Sequence, residues 1–180
     1  MNTSTDTMQI FDTKHVEALE AVLARAEARL VELTECLQKE REYVTVFDVG
    51  SLLSTLDRKR GLLEGFERDG AERRTALSRL WNDAGRDQAS LPESMPDALR
   101  GLAAQADPEL SSKLGDKADR FEALVDVVTE LNSVNQSLVS RSLSWIEAYI
   151  GEISGAAAST TYNANGRMKR RSLSAIRSKI

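Results

Sequence analysis

Cysteine, histidine, proline and aromatic residues are all scarce in this 180-residue chain. The single cysteine, Cys36, has no partner for an intrachain disulfide, which fits a reducing compartment. Neither Cys36 nor the single histidine, His15, has metal-ligand spacing around it. No phosphate-binding loop, dinucleotide glycine pattern or nucleophile elbow occurs, so neither catalysis nor a cofactor or metal is expected. Aromatics at 5% and only three prolines argue against a strand-rich fold. No run approaches the ~18 apolar residues of a membrane span. The polar, slightly acidic segment 1–13 lacks the basic start and apolar run of a secretory signal. These absences lead us to expect a soluble cytoplasmic protein that is not an enzyme.

What is present favours long helices. Hydrophobic residues make up 41% and charged residues 29%, and the chain is rich in Ala, Leu, Glu and Arg. Charge is divided unevenly. Beyond Glu152 there is no acidic residue, only Arg167, Lys169, Arg170, Arg171, Arg177 and Lys179. The net charge of −4 is therefore a basic tail of +6 on a remainder of −10. A helical body with an oppositely charged arm is the build of an adaptor that holds one partner and presents another.

Apolar spacing sets the elements. Val16, Leu19, Leu23, Ala26, Leu30, Leu33 and Leu37 follow at alternating 3- and 4-residue steps, a heptad seam. Val44 and Phe47 extend that face, Asp12 or Thr13 can cap its start, and the spacing predicts a helix over 13–46. A second helix is predicted over 49–81, with Lys59, Gly70 and Arg73 weakening its seam. Asn82 to Pro96 is turn-rich and reads as a connection, followed by a short helix over 97–106. Asp107-Pro108-Glu109 is a good helix start. From it Leu110, Leu114, Lys117, Phe121, Leu124, Val128, Leu131, Asn135, Leu138, Ser142, Trp145 and Tyr149 run on, predicting a helix over 108–153. The expected fold is all-α. It is an elongated antiparallel bundle or coiled coil of three long helices plus a short one, with a disordered C-terminal tail. The expected divisions are a flexible segment 1–12, a bundle over 13–154 and a flexible basic tail over 155–180. His15 reads as a first-turn surface residue and Cys36 as a small semi-buried hydrophobe. Glu67–Arg68 and Glu72-Arg73-Arg74 read as parts of a solvated face.

Three groups of residues together resemble the FlgN family of flagellar export chaperones. Leu131-Asn132-Ser133-Val134-Asn135-Gln136-Ser137-Leu138-Val139, followed by Trp145 and Tyr149, is similar to that family's "LN..N..L" helix. Glu42 through Arg60, then Arg73-Arg74, follows its N-terminal order of a glutamate, a break, a leucine pair, a lysine and later arginines. Tyr162-Asn163-Ala164-Asn165-Gly166-Arg167 is similar to its tail signature. The resemblance spans roughly 13–180, with a longer connection around Asn82 to Asp107 than in compact members.

The resemblance implies a cytosolic chaperone of hook–filament junction proteins, the hook-associated subunits. It would bind their C-terminal helices, prevent premature assembly and deliver them to the type III export gate. It places cargo binding on Leu131, Asn132, Asn135, Leu138, Val139 and Trp145. Docking on the cytosolic domain of the gate falls to Tyr162, Asn165 and Gly166. Asn135 has a second reading, as a buried polar residue that fixes register. No nucleic-acid partner and no stable membrane insertion are expected. Self-association stays open, as does the alternative of a coiled-coil scaffold acting by oligomerisation.

Overall fold

The computed structural model describes residues 10–158, with side chains described through residue 154. Of the expected tail, residues 155–158 belong to the last helix, and the rest, with the gate-docking residues Tyr162, Asn165 and Gly166, lies outside the described residues. Four helices follow in order: α1 (Thr13–Val46), α2 (Val49–Asp83), α3 (Met95–Ala103) and α4 (Pro108–Ala158), with a 3-10 turn at Gln88–Ser90 before α3. Among the described residues there is no strand, so the fold is all-α. The chain forms two compact units, Met1–Asn135 and Gln136–Ile180, and α4 runs through their division.

Helices α1, α2 and α4 each begin where an aspartate side chain takes up free backbone N–H groups. The Asp12 carboxylate accepts from Lys14 N at 2.9 Å, and Asp48 accepts from Ser51 N at 3.0 Å. Asp107 accepts from both Glu109 N and Leu110 N at 3.0 Å, with Pro108 at the first helical position. Pro96, expected in the connection, instead lies in the first turn of α3, where its missing N–H leaves no bond unmade. Phe47 does not extend the apolar face. It closes α1 in the left-handed conformation, φ 56°, and is 62% exposed. That conformation normally falls to glycine and costs a residue with a β-carbon about 1 kcal/mol.

In the first unit α1 and α2 are antiparallel. Arg29 Nε lies 3.1 Å from Asp69, and Cys36 Sγ donates to Thr55 O at 3.3 Å. Helix α4 runs antiparallel to α2, with Phe66 stacked on Phe121 and Lys59 bonded to Asn132. The densest core gathers where the start of α1, the end of α2, α3 and the start of α4 meet. There Leu19, Leu80, Trp81, Leu99, Leu102 and Ala118 are each at most 2% exposed. Phe11, just before α1, joins this core. The 82–107 connection is packed rather than loose. Trp81 Nε1 donates to Asp87 O and to Ser90 Oγ, both at 3.1 Å, which ties the turn to α2. His15 Nδ1 and Asp83 Oδ2, 2.8 Å apart, join the start of α1 to the end of α2.

Gly101 is where α3 meets the Trp81 ring. A β-carbon there would lie 2.7 Å from Trp81 Cη2. Because the ring is buried and rigid, Gly101→Ala is expected to lower stability by about 1–3 kcal/mol. Gly115→Ala, with nothing within 4 Å of the added methyl, should instead gain up to ~1 kcal/mol of helix propensity. Thermal denaturation of the two variants checks the opposite signs.

Candidate functional site

Two of the residues expected to bind cargo hold the first unit together. Asn135 is 1% exposed, and its Nδ2 donates to Leu37 O at 2.8 Å and to Glu40 Oε2 at 3.2 Å. Lys59 Nζ donates to the same Glu40 oxygen at 2.9 Å and to Asn132 Oδ1 at 2.8 Å. One polar layer therefore joins α1, α2 and α4. The lysine that weakens the α2 seam in the sequence meets a carboxylate that replaces a seam residue on α1. Glu40 extends the step pattern from Leu37 to Val44 at 3 and 4 residues, and this spacing is the signal by which the sequence shows it. Lys117 repeats the arrangement, with both Glu27 oxygens 3.0 Å from its Nζ. Asn132 and Asn135 thus point into the bundle, as register-fixing polar groups do.

Removing one partner of the layer strands the other in a dry environment. Lys59→Met leaves Glu40, 6% exposed, without its cation, and should cost about 3 kcal/mol. Adding Glu40→Met should recover most of that loss, as urea denaturation of the single and double variants will show.

The remaining cargo candidates divide between the units. Leu131 is half-buried in the first unit. In the second, Leu138 and Val139 are half-buried, and Trp145 is 67% exposed with its ring stacked on Tyr149 at 5.7 Å. Leu143, Ile146, Tyr149, Ile150 and Ile153 are exposed as well. At about 100° per residue, Leu143 to Ile153 places six large apolar side chains on an arc of roughly 160°, wider than the ~100° stripe that faces a single core. Leu143, Ile146, Ile150 and Ile153 recur at 3, 4 and 3 residues, a stripe that following the seam through Ser142, Trp145 and Tyr149 passes over. An apolar surface of this extent makes this face of the helix the candidate interaction site.

In the first unit a smaller apolar patch, Val46, Phe47, Val49 and Leu53, surrounds the α1–α2 turn. Arg73 departs from its reading as part of a solvated face. It is 9% exposed, its guanidinium lies 4.0 Å over the Phe66 ring, and its Nη1 donates to Phe66 O at 3.0 Å. Desolvation pulls its pKa below the usual arginine value, opposed by the charge of Asp69. Cys36 is 1% exposed rather than semi-buried, and burial pushes its thiol pKa up, away from the reactive thiolate. Among the described residues, no group of three His, Cys, Asp or Glu side chains is placed to hold a metal ion. No helix among them is long and apolar enough to cross a membrane.

Among the described residues of this all-α fold, the second unit's part of the last helix carries an exposed apolar stripe. The family model described as FlgN protein matches residues 8–170. The chain belongs to the FlgN family. No curated protein and no solved structure matches it. FlgN proteins are flagellar export chaperones, a family of binding proteins rather than of enzymes. For a FlgN protein the exposed stripe of α4 is the surface to explain, since a chaperone works through apolar area that its own fold leaves uncovered.

Proposed function

We propose that this chain is the export chaperone of hook–filament junction proteins, acting in the cytoplasm. It holds the C-terminal helical region of these hook-associated subunits, keeps it from assembling early and delivers it to the type III export gate. The observation that carries the reading is the run of six exposed large apolar side chains from Leu143 to Ile153. Subunits that polymerise through amphipathic helices need such a surface to cover their own apolar faces until export. In this reading the cargo helices lie along Leu131, Leu138, Val139 and Trp145 and onward to Ile153. Asn132 and Asn135 contribute from beneath, by fixing the register of α4. The breadth of the apolar arc suits a cargo that covers the helix from two sides.

Burial of each large apolar side chain is worth about 1.5–3 kcal/mol. The pair Ile146→Asp and Ile150→Asp should therefore weaken cargo binding by a factor of at least ~100. Circular dichroism should stay helical, because both side chains are exposed in the free protein. Co-purification with the C-terminal region of a junction protein is the measurement, and undiminished binding would place the cargo elsewhere. An obligate dimer disrupted by the same two changes would instead favour a scaffold that acts by oligomerisation.

Gate docking is assigned to Tyr162 with Asn165 and Gly166. Ser154 to Thr161 contains no side chain larger than threonine, and Tyr162 is the sole aromatic or large apolar side chain between Ile153 and Met168. An isolated amphipathic ring followed by Asn-Gly, which favours a turn, suits insertion into a pocket. Tyr162→Ala is expected to weaken binding to the cytosolic domain of the gate while cargo affinity and melting temperature stay unchanged. A lower melting temperature with gate binding intact would make the tyrosine structural.

A further inference from the structure

The chaperone reading leaves Arg73 without a task. Its side chain lines an open groove of about 250 Å³ in the first unit, walled by Phe66, Leu77, Leu91, Met95 and Phe121. Buried guanidinium groups ordinarily sit against a carboxylate. Among the described residues no carboxylate lies within 4 Å of Arg73, and its neighbour Asp69 is held by Arg29 at 3.1 Å. The contacts that remain are the Phe66 ring and the Phe66 carbonyl. Arg74 adds a second positive charge to the lining, and the exposed Glu93 is the one acidic residue among the lining residues.

We propose that this groove is a binding site for a carboxylate presented on an apolar protein segment, a Glu or Asp side chain of a partner flanked by residues such as leucine. The guanidinium fork matches a carboxylate in two parallel hydrogen bonds, and the apolar walls receive the flanking side chain. The volume lies below the roughly 300–1,000 Å³ of small-molecule sites, so it suits one or two side chains rather than a cofactor. A free phosphate has no apolar surface to offer the five hydrophobic walls. The site is independent of the α4 stripe. Loss of cargo binding in the Ile146→Asp, Ile150→Asp variant leaves this proposal standing, and the reverse holds too.

The test is a titration of the full chain with acetyl-Leu-Glu-amide and, separately, acetyl-Leu-Gln-amide, followed by NMR at the Arg73 Nε–H. The glutamate peptide is expected to shift that resonance saturably at millimolar concentration. The glutamine peptide should bind about tenfold or more weaker, because its contact with the guanidinium carries no charge. Arg73→Gln should erase the difference between the two peptides, read at the Met95 methyl group. Equal response to both peptides, or no saturable shift with either, makes Arg73 a structural residue only and overturns the proposal. Displacement of the glutamate peptide by equimolar inorganic phosphate would overturn the stated ligand class. Should Arg73→Gln fail to fold, the comparison of the two peptides on the unaltered chain decides the matter alone.

Discussion

The first unit depends on a buried carboxylate, Glu40, shared between a lysine and an amide. Lys59 Nζ and Asn135 Nδ2 converge on one Glu40 oxygen, from α2 and α4 respectively. A charge taken out of water is tolerated only where its partners meet it with good geometry. The three helices therefore have a single axial setting in which Glu40, Lys59, Asn132 and Asn135 are all in reach of one another. A shift of one helix by a turn would strand at least one of them. Leucine seams alone would accept several settings, since one leucine layer resembles the next. The second polar layer, Glu27 with Lys117, enforces the same alignment nearer the densest core.

That alignment fixes the rest. With register set, Trp81, α3 and the start of α4 close into a compact core whose largest side chains are almost fully buried. The last stretch of α4 follows a different rule. Its apolar residues recur with the same period as the seam of the first unit, yet Leu143, Ile146, Ile150 and Ile153 are exposed. One helix therefore combines a register-fixed segment with an apolar segment left available. A chaperone needs both, a stable body and uncovered surface that does not collapse the body when it is filled. The groove at Arg73 follows a similar logic in miniature, a buried charge with aromatic contact whose nearby carboxylate, Asp69, is paired with Arg29.

Much of the fold was legible in the sequence because helix-forming signals are local. The capping aspartates, Pro108 and the 3-4 spacing place α1 over the predicted 13–46 and α2 and α4 close to their predicted limits. Differences arise where local signals compete. Phe47 looked like another seam residue, but the chain needs a left-handed residue to end α1 there, and the aromatic ring is turned out. Gly151 weakens helix propensity too little to stop α4, which continues to Ala158. Arg73 looked solvated because its neighbours are charged, whereas Phe66, seven residues before it, provides a ring and a carbonyl for the guanidinium.

The sequence by itself determined the helical class, the starts of the three long helices, the family and the polar positions within the seams, because each rests on spacing or on short residue patterns. The tertiary structure decided which polar residues meet. Glu40 and Asn135 are 95 positions apart, and no local pattern says that one will donate to the other. It also decided which apolar residues are used for packing and which are left open, since Leu30 and Ile150 obey the same periodicity and differ only in whether another helix covers them. The physical reason is that periodicity defines a face, while burial needs a partner for that face, and partners are assigned only when the whole chain is in place.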